Sequence, residues 1–165
     1  MERSQQVHPF PPLYDALSRV LILGSFPSIK SREQRFFYGH PQNRFWPMLA
    51  ALFGEAVPRS VEEKRALALR HHVALWDTIY SCDIVGSSDS SIRSVVPTDL
   101  RPILSGSGVT RIFCNGRTSG LYYQKYQEKT LQIEATVLPS TSPANAAWTM
   151  EKLMEAWSVI REESE

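Results

Sequence analysis

Val20-Leu21-Ile22-Leu23 is an unbroken apolar run that stops at Gly24. A strand with one face in water alternates apolar and polar residues, and this one has no polar face to offer. It must lie in a sheet covered on both sides, which points to parallel strands joined by helices. The spacing predicts helices over residues 45–54, 61–70, 118–126 and 147–162, and a short one running to Leu104 from a cap at Thr98 or Asp99. Ser60-Val-Glu-Glu63 is a capping box for the second of these. Further strands are expected at 73–80, 111–114 and 131–138, the last broken or split in two. Pro9, Pro11 and Pro12 make the N-terminus an extended lead-in, and 81–97 is expected to be a Ser-rich loop. The expected fold is therefore α/β with a mostly parallel, four-stranded sheet.

A chain of 165 residues makes one domain, long enough to bury about 70% of its unfolded-chain surface. Its 42% apolar and 21% charged residues fit an ordinary globular protein. A net charge of +1 argues against a charge-dominated, histone-like binder, yet a DNA enzyme needs only a local basic face. No apolar run follows Glu2 and Arg3, so a signal peptide is not expected and the location should be cytoplasmic, nucleoid-associated in a bacterium or nuclear in a eukaryote. The apolar stretches near 20–23 and 73–76 are too short to span a membrane. Cys82 and Cys114 are too isolated for a zinc knuckle or redox pair, and two cysteines cannot hold a four-cysteine iron–sulfur cluster. No metal or other cofactor is expected, and the protein should be a monomer.

Parallel sheets bind ligands beyond the carboxyl ends of their strands. The loops after Gly24, Tyr80, Asn115 and Pro139 are thus the ones to weigh. In Gly24-Ser25-Phe26-Pro27-Ser28, the glycine allows a sharp turn or a close approach. The amides after it could bind an anion or a base carbonyl, although an ordinary strand-end turn would look the same. No Gly-Lys-Ser/Thr follows, so this is no Walker-type phosphate loop.

Phe36-Phe-Tyr-Gly-His-Pro-Gln-Asn-Arg-Phe-Trp46 sets five aromatic rings around a polar centre. Pro41 disfavours helix at His40, so the segment should be an ordered loop with a helix starting near Asn43 or later. Its rings could stack on a flat heterocycle whose edge the polar groups read or attack. They would equally serve a core. Tyr38 is the candidate stacking ring. Asn43 can orient a water through its amide oxygen, and His40 could donate to a leaving group or merely hold the loop.

Leu138-Pro-Ser-Thr-Ser-Pro-Ala-Asn145 is stiffened by two prolines and lined by hydroxyls. Small hydroxyls beside backbone amides are typical phosphate grips, and Pro143 or Ala144 could wedge where a nucleotide leaves the stack. Asn145 or Ser142 could also simply cap the next helix. In Leu75-Trp76-Asp77-Thr78, Trp76 and Asp77 are placed either to reach a pocket or to belong to the core. No His-x-x-x-His or Cys-x-x-Cys pair and no Gly-x-Ser-x-Gly elbow occurs.

Three of these blocks together resemble the uracil-DNA glycosylase superfamily: Leu21-Ile-Leu-Gly-Ser-Phe-Pro-Ser28, His40-Pro-Gln-Asn-Arg-Phe-Trp46 and Leu138-Pro-Ser-Thr-Ser142. The second block is highly specific. Asn115-Gly116 also looks like the family, and Ala74-Leu-Trp-Asp77, Ser81-Cys-Asp83 and Gly86-Ser-Ser-Asp-Ser-Ser-Ile92 resemble its hypoxanthine-DNA (deoxyinosine) glycosylase branch. Mismatch-specific uracil glycosylases carry a water-positioning asparagine one residue before the proline of the first block. Phe26 stands there in this chain. The deoxyinosine branch shares that loss and keeps its catalytic asparagine in the second block, at the position of Asn43.

The resemblance implies a three-layer α/β/α sandwich over residues 1–165 as one DNA glycosylase domain. Its partner would be duplex DNA containing a deaminated or mismatched base, hypoxanthine foremost. Asn43 and His40 would be the catalytic pair. Gly24, Ser25, Phe26, Pro27, Tyr38, Trp76, Asp77 and Asn115 would bind the base, and Ser28, Ser140, Thr141, Ser142, Pro143 and Asn145 the DNA. The alternatives are a G:T/U mismatch uracil (thymine) glycosylase, a non-catalytic damaged-DNA or nucleotide-binding module, and a small-molecule nucleosidase.

Overall fold

The computed structural model describes residues 1–165 and has two sheets. The central sheet holds four strands, β2 (Val20–Gly24), β3 (Val73–Asp77), β6 (Arg111–Asn115) and β7 (Ala135–Leu138), in the order β3-β2-β6-β7. Every pairing in it is parallel. All residues of β2 and β3 are buried, as an apolar run without alternation requires. Gly24 pairs with Asp77 and Asn115 with Leu138, so the carboxyl ends share one edge.

The helices are α1 (Ile29–Gln34), α2 (Phe45–Leu52), α3 (Val61–Arg70), α4 (Arg101–Ser105), α5 (Arg117–Tyr126), α6 (Glu128–Leu131), α7 (Met150–Trp157) and α8 (Val159–Glu163). No helix is long and apolar enough to cross a membrane. The capping box behaves as expected, with Ser60 Oγ accepting from Glu63 N–H. Helix α2 ends where Gly54 takes φ +67°. The last helix breaks at Ser158 into α7 and α8, and Phe45, Trp46, Leu153 and Trp157 all sit in the main core.

The second sheet departs from expectation. It is antiparallel, in the order β1 (Arg3–Val7), β4 (Ile79–Val85), β5 (Arg93–Pro97). The N-terminal lead-in is thus a strand as far as Val7, and most of the expected 81–97 loop is strand. Arg3–Val7 is polar and largely exposed, so it carries no apolar period to reveal it. The expected strand at 73–80 is two strands broken at Thr78, where the chain leaves one sheet for the other. Thr98 holds that corner instead of capping α4. Its hydroxyl donates to the Asp77 carbonyl at 2.7 Å, while Asp99 Oδ1 accepts from Arg101 N–H.

At the end of α3, Glu55 accepts from Arg70 at 3.0 and 2.5 Å and from His71 Nε2–H. The Arg70 and His71 hydrogen bonds hold its carboxyl down to about 2. A depressed carboxyl stabilises the fold above its ordinary value near 4.5 and ceases to as pH falls toward 2. The contact is exposed, so the effect is small. The urea midpoint of Glu55→Gln should lie below that of the parent above this window and meet it at the acid end. Parallel curves across the window would show that the cluster contributes nothing.

Candidate active site

The carboxyl edge of the parallel sheet opens onto a cavity of about 350 Å³. Its wall draws on the loop after β2, the aromatic segment before α2, Asp77, Asn115, residues 140–144, and Ser87 and Asp89 from the turn between β4 and β5. These segments are distant in sequence and meet because the strand ends share one level.

Asp77 is 4% exposed. His8 Nε2–H donates to its Oδ2 at 2.6 Å. Oδ1 accepts from no protein group and stays open to the cavity. A Cβ on Gly24 would lie 2.4 Å from Oδ1, so the carboxylate can occupy this place only beside a glycine. Trp76 does not line the cavity. Its ring packs on His8 with centroids 4.2 Å apart, because at 7% exposure it belongs to the main core. The expected base-binding role of Trp76 is corrected to support of His8, a residue that nothing local in the proline-rich lead-in singles out.

Tyr38 takes φ +53°, a strained backbone state for a bulky residue. Its ring stacks on Phe45 with centroids 4.2 Å apart, and the residue lines the cavity. Burial above all, then the Asp77 charge, pushes its phenol above the ordinary tyrosine value, with the Asn115 side chain opposing. The hydroxyl still has no partner within hydrogen-bonding geometry. Tyr38 therefore stays a neutral ring. Phe26 is anchored away from the cavity for the most part. It packs with Ile79, Cys82, Ile84 and Ile92 in a second core and is 8% exposed.

Asn43 Oδ1 accepts from Phe45 N–H and from the Thr141 hydroxyl, both at 2.9 Å. A backbone N–H can only donate, which fixes that atom as the oxygen. Its two lone pairs are taken, so the expectation that this oxygen holds a water is corrected: the free group is the Nδ2 amide. Thr141 is fully buried, accepts from Asn115 Nδ2 at 3.0 Å, and gives its N–H to Asn115 Oδ1. It relays between Asn115 and Asn43, and its burial rules out the expected contact with DNA. His40 Nδ1 accepts from Gln42 N–H at 3.1 Å, which places the hydrogen of the neutral ring on Nε2.

Ser140 Oγ accepts from Ser142 N–H, and Ser142 Oγ from Ala144 N–H. Each hydroxyl keeps its own hydrogen to donate. Asn145 closes this loop through Nδ2 to the Ser140 carbonyl. Ser28 caps α1 and lines the cavity. Arg44 ties the loop down, its guanidinium donating to the carbonyls of Ser142, Asn145 and Trp148. Gly116 takes φ +98° beside Ser140, a state open to glycine.

The Uracil DNA glycosylase superfamily model matches residues 11–161. The chain belongs to the uracil-DNA glycosylase superfamily. As a member it is a DNA glycosylase, and DNA is its substrate. It is 32% identical over 154 residues to a protein of Methanosarcina acetivorans named hypoxanthine DNA glycosylase, covering 92% of this chain and 96% of that one. A Methanosarcina barkeri protein of the same name is 32% identical over 143 residues, covering 82% and 86%. The solution structure of a Methanosarcina acetivorans protein described as a candidate uracil DNA glycosylase superposes with a TM-score of 0.80 at 30% identity. That match covers 94% of this chain and 97% of the other. The three-layer glycosylase fold expected from the sequence is thereby shown, with the small antiparallel sheet beside it.

Proposed function

We propose that this glycosylase removes hypoxanthine from duplex DNA by hydrolysis. The observation that carries the reading is the open Asp77 Oδ1 in the cavity wall. Hypoxanthine differs from adenine by an N1–H donor where adenine has a lone pair, and by a carbonyl where adenine has an amine. A carboxylate acceptor facing N1 takes the N1–H of hypoxanthine and repels the lone pair that adenine carries there. The Ser25 and Phe26 amides, which donate to no protein acceptor, supply hydrogen bonds for the carbonyl. The names of the Methanosarcina relatives support the same substrate. The loss of a first-block asparagine to Phe26 speaks against the uracil route.

In this mechanism the Ser140 and Ser142 hydroxyls grip phosphate, and the damaged nucleotide swings into the cavity. Its base lies on Tyr38, which Phe45 braces from behind. Asn43 Nδ2 donates to the oxygen of the attacking water and so orients it. The C1′–N9 bond breaks with oxocarbenium character at the sugar. Negative charge gathers on the departing base, where the loop amides and His40 Nε2–H meet it.

A panel of duplexes carrying hypoxanthine, uracil, xanthine, unsubstituted purine and a G·T mismatch tests this. Hypoxanthine should be released fastest, and purine, which lacks N1–H, should be poor. Release of uracil alone would replace the reading with that of a mismatch uracil glycosylase. Tight binding of damaged DNA with no base released would replace it with a binding module.

A further inference from the structure

We propose that Asp89, on the turn between β4 and β5, is the base that takes the proton of the attacking water. The inference rests on the glycosylase reading above and adds a catalytic residue to it.

A hydrolase of this kind needs an acceptor for a water hydrogen. Asn43 orients the water but cannot accept from it, because both lone pairs of its oxygen are taken. The His40 Nδ1 lone pair is taken by Gln42 N–H. Asp77 has a free oxygen, but it sits deep in the wall, where the base edge lies. The reacting carbon belongs to the sugar, between the base in the cavity and the phosphates outside.

A second, more open groove adjoins the cavity along Gly116, Arg117 and Trp148. Only Asp89, Asn115, Ser140, Ser142 and Ala144 border both spaces. A nucleotide with its phosphate in the groove and its base in the cavity places its sugar at this junction. Asn115 is committed to Thr141 through both ends of its amide. The two serine oxygens already accept from backbone. Asp89 is the one ionisable group among the five.

Its carboxylate is held in place. Ser25 Oγ–H donates to Oδ1 at 2.9 Å, while Oδ2 has no protein partner. Ser25 belongs to the loop after β2, so the carboxylate reaches that loop from another strand turn. Although the Asp89 residue is exposed as a whole, it lines the cavity, and its carboxyl is bonded to Ser25, which lines the cavity too. Burial of that group above all, with the Asp77 charge adding and the Ser25 bond opposing, raises its pKa and makes it a stronger base. A negative charge at a rim that must receive phosphate weakens DNA binding, and proton abstraction gives it a use.

The step balances as a hydrolysis. The water oxygen bonds to C1′, and one water proton passes to Asp89 Oδ2. The C1′–N9 bond breaks and its electron pair leaves with the base, which takes up a proton. Asp89 then returns its proton to solvent.

The test is single-turnover base release at saturating enzyme, with duplex affinity measured in parallel. Asp89→Asn keeps an oxygen for the Ser25 hydroxyl and should slow release by about 100- to 10,000-fold, the usual worth of a positioned base, with affinity equal or improved. Formate should restore part of the rate to Asp89→Ala, where the removed carboxylate leaves room, and none to Asp89→Asn. An unchanged rate in Asp89→Asn overturns the proposal. So does a rate loss matched by an equal loss of affinity, or a failure of formate to rescue. If the parent releases uracil and not hypoxanthine, the substrate reading falls and the same comparison is made on uracil duplexes, since the attack on C1′ is common to both. A parent inert on every duplex removes both proposals.

Discussion

Asn43→Asp should lower single-turnover release of hypoxanthine by about 100- to 1,000-fold, the loss typical when one preorganised donor is removed from a reacting centre. Aspartate retains an oxygen for Phe45 N–H and for the Thr141 hydroxyl, so the start of α2 and the relay to Asn115 survive. What disappears is the Nδ2 donor alone. The melting temperature should barely move, which separates lost chemistry from lost structure. If Asn43→Asp matches or exceeds the parent in rate, the side chain acts through an oxygen and the hydrogen-bonding arrangement described for it is not the working one. Asn43→Ala should lose the same activity and also stability, because Phe45 N–H and the Thr141 hydroxyl both lose their acceptor.

The largest effect on stability is expected at Arg44. Its guanidinium donates to three loop carbonyls, and its own N–H to the Thr141 carbonyl at 3.1 Å. Hydrogen bonds to a charged group contribute about 1.5–3 kcal/mol each, less than additively when they share one donor. Arg44→Ala should therefore cost about 3 kcal/mol, or a fall of roughly 6–12 °C in melting temperature for a domain of this size. Arg44→Lys should recover little, since an ammonium cannot match a planar fork aimed at three acceptors. Base release should fall as well, because the loop carrying Ser140 and Ser142 is freed. A melting temperature equal to that of the parent would show that the loop is held by its prolines and turns alone.

Much of the parallel sheet was legible because it rests on a local signal. An apolar run such as 20–23 has few places to go, and the cap at Ser60 acts within one turn of its own helix. The small antiparallel sheet had no such signal. Arg3–Val7 buries too little to be patterned, and the break at Thr78 depends on Thr98 and Gln127, which arrive from far along the chain. The cavity wall divides in the same way. Gly24, Tyr38, His40 and Asn43 stood out because unusual residues cluster there. His8 did not, since a histidine among prolines looks like any solvated lead-in, and the block 86–92 stood out only by resemblance, with nothing local to mark Asp89 within it as a site residue.

The sequence by itself determined the sheet and the loops at its carboxyl edge, because period, caps and glycines act through neighbours on the same element. Only the tertiary structure decided what each polar atom does there. It withdrew the oxygen of Asn43, buried Thr141, returned Trp76 to the core, and set His8 behind Asp77 and Asp89 beside Ser25. Hydrogen-bond partners at a site are spatial neighbours drawn from several strands, and no local pattern records which lone pairs the fold will leave free.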